Sequence, residues 1–287
     1  MDWNKGRRSS NVEDRRSGGG GGGGKLGAGA MLAVVVISVL LGKNPLEMLG
    51  LLEQSGLGDT LQGQQQGTAP PVDDREAEFV ARILGDTEDV WGAIFQQAGT
   101  RYVEPRLVLF AGRVQSACGG ATSATGPFYC PGDQQVYLDT SFFGQMRTQL
   151  GGGGDFAEAY VIAHEIGHHV QTLLGVSAKV DAARSRGAEL RGDGGLLVRQ
   201  ELQADCLAGV WAHHAQARHQ WLEAGDIDEA LRTATAIGDD RLQKQAQGEV
   251  VPDAFTHGTS VQRVRWFRTG FEQGEVAGCD TFSAKAL

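Results

Sequence analysis

Apolar residues follow three different rhythms along this chain. The first is an unbroken run, "LGAGAMLAVVVISVLLG", residues 26–42, closed at either end by Lys25 and Lys43. Seventeen uncharged residues are near the lower limit for a membrane-spanning helix. No small-x-small cleavage site follows the run, so an uncleaved anchor is expected rather than a signal peptide. The second rhythm is helical. It appears in "DDREAEFVARILG" and "DTEDVWGAIFQQAG", which read as two helices split at Gly85–Asp86, with Asp86 or Thr87 capping the second. It returns in residues 155–175, "DFAEAYVIAHEIGHHVQTLLG", where Asp155 and Glu158 have capping-box spacing and Gly175 is a stop. Residues 194–217, with Asp193 as a cap, 225–238 and 258–274, capped by Thr259 or Ser260, continue it. The third rhythm is strand-like, in "PRLVLFAG" (105–112) and "QQVYLDTSFF" (134–143). Helices outnumber strands, so the expected fold is α+β, mainly helical with a small sheet.

Composition divides the chain. Residues 1–25 are charged and then polyglycine, and are expected to be a disordered tail. Residues 43–72, rich in Gly, Gln and Pro, read as a flexible linker, and 73–287 as one domain. The net charge is −9, yet residues 1–43 carry seven Lys/Arg against three Asp/Glu. An acidic body excludes nucleic acid as a partner, because phosphate binding needs clustered cations. Lys5, Arg7, Arg8, Arg15, Arg16 and Lys25 precede the anchor, which predicts a cytoplasmic N-terminus and a body on the periplasmic or extracellular side. All four cysteines, Cys118, Cys130, Cys206 and Cys279, fall in the body. An even number in an exported domain points to two disulfides. Of the three possible pairings, Cys118–Cys130 with Cys206–Cys279 is expected.

Candidate chemistry centres on His164-Glu165-Ile166-Gly167-His168, an H-E-x-x-H motif inside a helix. Residues four apart differ by roughly 40° around a helix, so His164 and His168 present both imidazoles to one Zn²⁺. Glu165 lies on the adjoining edge, within reach of a water as general base. A hydrolytic zinc site takes three protein ligands. No histidine follows in "QTLLGVSA", so the third ligand is sought on a second helix. "RQELQADC" supplies Glu201 as ligand and, four residues on, Asp205 to accept the ring N–H of His164. His257 is the candidate oxyanion donor, with Tyr160, His213 and His214 as weaker ones. His169 is given no role. The strand at 134–140 or the segment at 112–118 is the candidate edge for an extended peptide.

H-E-x-x-H followed on a later helix by E-x-x-x-D resembles the gluzincins, the thermolysin-like zinc peptidases. With "DTEDVW", "GPFYCPGD", "VYLD", "AIGDDRLQ" and "THGTSVQRVRWF", the chain more closely resembles the bacterial neutral zinc metallopeptidase family over residues 73–283. The resemblance implies a membrane-anchored peptidase with a zincin-like fold and one zinc per chain, acting on a peptide or protein. The rival expectation is an anchored binding module of the cell envelope that is catalytically silent or metal-free.

Overall fold

The computed structural model describes residues 1–16, 74–149 and 153–287. Its sheet has four strands: β1 (Val12–Asp14), β2 (Arg106–Phe110), β5 (Phe128–Cys130) and β6 (Gln135–Asp139). The order is β1-β2-β6-β5, with β1, β2 and β6 parallel and β5 antiparallel at the edge. In β2, Leu107 to Phe110 are all buried, the continuous apolar run of a strand covered on both faces. Between β2 and β5 the chain forms a separate hairpin, β3 (Arg113–Ser116) with β4 (Gly119–Thr122). The Cys118–Cys130 disulfide ties this hairpin to the sheet edge.

Helices make up most of the body. They are α1 (Arg75–Gln97), α2 (Ser141–Gln149), α3 (Asp155–Leu173), α4 (Val176–Ser185), α5 (Leu196–His219), α6 (Asp226–Ala236), α7 (Asp239–Gln247) and α8 (Ser260–Gln273). The fold is therefore mostly helical with small sheets. Helix α3 is buried almost all round, because α1, α5, α6, β5 and β6 all pack on it. Each fully buried side chain such as Ile166 contributes about 1.5–3 kcal/mol to that packing. Close helix contacts depend on absent side chains. A Cβ at Gly209 would meet Phe267 O at 2.1 Å, and one at Gly270 would meet Cys206 O at 1.9 Å, so α5 and α8 touch backbone to backbone. The Cys206–Cys279 disulfide fastens the same contact.

Several expectations need correction. Residues 1–16 are not a disordered tail: they carry β1 and a 3-10 turn at Trp3–Lys5, with Trp3 buried against Phe79. The folded unit therefore joins 1–16 to 74–287. The two helices expected at 73–98 are one, because Gly85 is not a break. Its missing side chain makes room for Arg7 O, which would lie 2.4 Å from a Cβ. Asp86 is no cap but a buried acceptor for Trp211 Nε1 (2.8 Å) and His219 Nε2 (2.9 Å). Thr87 bonds back to Leu84 O. The Asp155/Glu158 capping box does not form. Asp155 accepts Trp3 Nε1, while Glu158 pairs with Arg147. Asp193 does not cap α5; it accepts Gln262 Nε2 instead. The strand expected over 134–143 stops at Asp139, and α2 follows. Of the two caps expected for α8, Thr259 is the one used, in a capping box with Gln262. Among the described residues no helix is long and apolar enough to cross a membrane. The 26–42 run and the 43–72 linker both fall within residues 17–73, outside the described residues.

Candidate metal centre

Helix α3 supplies His164 and His168 one turn apart, and α5 crosses beneath them with Glu201. Gly167 sets the distance: a Cβ there would sit 2.9 Å from Ala204 O, so only glycine lets α5 approach this closely. His164 Nε2 is 3.2 Å from Glu201 Oε2, and His168 Nε2 is 3.5 Å from Glu201 Oε1. The three donor atoms lie within 4.8 Å of one another. Donors about 2.0–2.2 Å from one tetrahedral ion stand roughly 3.3–3.6 Å apart, so two imidazoles and a carboxylate spaced in this way fit zinc.

The other ring nitrogens are oriented from behind. His164 Nδ1 meets Asp205 Oδ1 at 2.9 Å. His168 Nδ1 meets Gln171 Oε1 at 2.9 Å, and the Gln171 amide donates to Gln200 O and Gln203 Oε1. Each imidazole can thus donate its Nδ1–H rearward and aim Nε2 at the shared point. Asp205 is fully buried. It accepts Arg263 Nε and Nη2, both at 2.9 Å, and the Tyr160 hydroxyl at 2.5 Å.

Charge follows this geometry. Burial alone would raise Asp205, but the Arg263 and His164 charges hold its carboxyl at about 2. Burial alone would lower His164, but the Asp205 charge and hydrogen bond bring it up to about 10. Glu201 is held well below the usual carboxylate range by His168 and His164, against its own burial.

Glu165 is different. It is 8% exposed and makes no hydrogen bond or ion pair with any described residue. A nearly buried carboxylate costs free energy unless something polar meets it. Glu165 stands beside the three metal donors and, against burial, its charge joins that of Glu201 in raising the pKa of His168.

His257 stands on the loop before α8. Gly258 beside it packs on Val198 and Leu202, which bracket Glu201 on α5. Asp239 Oδ2 accepts the backbone N–H groups of Thr256 (2.7 Å), His257 (2.6 Å) and Gly258 (3.1 Å), and Asp239 Oδ1 lies 3.3 Å from His257 Nδ1. The imidazole is half exposed, and its pKa is raised, first by the Asp239 hydrogen bond and further by the charge of Glu201.

Other candidates fall elsewhere. Tyr160 is committed to Asp205, behind the metal donors. His213 and His214 meet Phe271 O and Gly274 O and close the C-terminal end of α8. His169 is fully buried; its Nε2 donates to Val103 O and its Nδ1 accepts from Tyr129, tying α3 to β5. The strand at 134–140 is interior, and 113–116 belongs to the hairpin, so the edge of the main sheet beside α3 is β5.

Sequence reasoning missed Arg263, Gln171, Asp239 and Gly167. Arg263 left a signal: it shares a helix face with Trp266 and Phe267, where an unpaired charge could not stay. Gln171 and Asp239 left none, since their partners come from other parts of the chain.

This donor set fits a zinc centre, and comparison with known proteins agrees with it. A family model described as "Putative neutral zinc metallopeptidase" matches residues 1–282, and the chain belongs to that family. The family implies zinc. The uncharacterized protein YpfJ of Escherichia coli (strain K12) is 47% identical over 291 residues, 98% of this chain and 99% of that protein. The uncharacterized protein Mb2605 of Mycobacterium bovis is 48% identical over 196 residues, 65% of each chain. No solved structure matches.

Proposed function

We propose that the chain is a zinc-dependent peptidase with a gluzincin-like site. The observation that carries this reading is the convergence of His164, His168 and Glu201 on one point, with Glu165 beside them and free of hydrogen bonds to the other described residues. Zinc held by His164, His168 and Glu201 would supply Lewis acidity and make a water at the site acidic enough to ionise at about pH 7. Glu165 accepts the proton of the attacking water and returns it to the leaving amine. His257, steadied by Asp239, donates a hydrogen bond to the oxyanion. Asp205 and Gln171 hold the two histidines in the tautomer that turns Nε2 forward. An extended peptide adds along the outer edge of β5, beside α3.

We place the activity outside the cytoplasm, attached to a membrane through residues 26–42. Two disulfides support an oxidising compartment. The test is zinc per chain in the purified protein and in Glu201→Gln, followed by digestion of a peptide library. About one zinc, lost or weakened in the variant, with peptide cleavage, supports the reading. Zinc without cleavage would favour the silent binding module. No zinc in folded, disulfide-bonded protein would end the metalloenzyme reading.

A further inference from the structure

The first sixteen residues are fastened to the body along their whole length. Trp3 is buried and donates Nε1 to Asp155. Arg82 donates to Asn4 O and Gly6 O, and Trp221 covers Gly6. Glu88, buried on α1, accepts three hydrogen bonds from the segment: Arg7 Nη2 at 2.6 Å, Ser9 Oγ at 2.6 Å and Asn11 Nδ2 at 2.7 Å. Backbone pairing then takes over. Ser9 N–H donates to Ala81 O, Leu107 N–H to Asn11 O and Arg15 N–H to Leu109 O, each within 3.0 Å. Finally Arg16 Nη2 reaches Asp74 Oδ2 at 2.6 Å.

That last contact has a topological consequence. Arg16 and Asp74 flank residues 17–73, and the two are in direct ion pair. A single membrane crossing by the 26–42 run would put them on opposite faces of a hydrocarbon layer about 30 Å thick. Two crossings would need a second apolar run, and residues 43–73 contain none of comparable length. The four arginines among the six charges that predicted a cytoplasmic N-terminus are also already paired. Arg7 pairs with Glu88 and Asp89, Arg8 with Glu78, Arg15 with Glu13, and Arg16 with Asp14 and Asp74. Arginines already paired with neighbouring carboxylates are not a free cationic cluster held back at the cytoplasmic face.

We infer that residues 1–16 and 74–287 form one folded unit on one side of the membrane, so the 26–42 run attaches the protein without carrying its catalytic body away from its N-terminus. The N-terminal strand is then part of the enzyme and shares its compartment.

The full chain tests this with two single variants, Lys5→Cys and Asp181→Cys. Both positions are about half exposed, and the native cysteines are paired. Each is treated with a membrane-impermeant maleimide in intact spheroplasts and in inside-out vesicles. The expected result is the same sidedness for both positions, labelled from outside. Labelling of both from inside would keep the inference and overturn only the compartment proposed above. Labelling of one from each side would overturn the inference. Hydrogen exchange on the unaltered full chain is the second measurement: amides of Asn11–Arg15 should be protected like those of β2, and exchange at free-peptide rates would also overturn it.

Discussion

Arg263 grips Asp205 with two parallel hydrogen bonds of 2.9 Å, at a depth where neither side chain meets water. Both oxygens of Asp205 are thereby fixed, and one of them is left aimed at His164 Nδ1. A charge pair this deep is weak evidence of net stabilisation, because desolvating both ions is expensive. Its value is orientation: a bidentate guanidinium permits one carboxylate plane. Removing one partner is a different matter, since the other is left charged and buried. Arg263→Met should cost about 3–5 kcal/mol of folding stability and weaken zinc binding roughly 10–100-fold. Thermal unfolding with and without zinc, beside a competitive zinc titration, separates the two effects. A variant with unchanged zinc affinity would reduce Arg263 to a structural role.

Glu165→Gln keeps the shape of the site and removes the base. Zinc content should stay at about one per chain, while peptide hydrolysis falls by roughly 10²–10⁴-fold. Metal analysis and initial rates on one preparation decide it. Cleavage at the unaltered rate would remove Glu165 from the mechanism.

His257 should contribute in its protonated form. Its pKa lies above the usual histidine value because Asp239 favours the cation and Glu201 adds to that, against partial burial. Activity that depends on the cation is full below this raised pKa and declines as pH rises through it. His257→Gln should lower kcat about 10²–10³-fold, the range for loss of one oxyanion donor, and flatten the alkaline limb of the rate profile. A variant that keeps that limb would assign it to another group.

Gly85→Ala tests the docking of the N-terminal segment. In an open helix the change would stabilise by about 1 kcal/mol. Here the new methyl would meet Arg7 O at 2.4 Å and Ser9 N at 3.0 Å. The expected sign is therefore reversed, a loss of about 1–3 kcal/mol from overpacking, with faster hydrogen exchange confined to residues 7–15. Stabilisation would mean that the segment does not rest on α1.

Gly167→Ala addresses the centre itself. Its methyl would press on Ala204 O and drive α5 from α3, withdrawing Glu201 from the two histidines. Zinc affinity should fall by more than stability alone explains, measured by titration of folded protein.

Much of this molecule was legible in its residues. The spacing of His164, Glu165 and His168 puts them on one helix face whatever the surroundings, because helical geometry is local. The same holds for Glu201 and Asp205, and for Thr259, one of the two caps expected for α8. Where local signals had a second explanation, they misled. Gly85 reads as a break and is a contact; Asp86 reads as a cap and is a buried acceptor. What only the tertiary structure decided was which local elements meet. The approach of α5 to α3 brings Glu201 to the histidines, α8 brings Arg263 to Asp205, and Asp239 reaches His257 across eighteen positions of sequence. Such pairings are set by packing between helices distant along the chain, and a sequence carries them only in the small residues, like Gly167, Gly209 and Gly270, that let backbones touch.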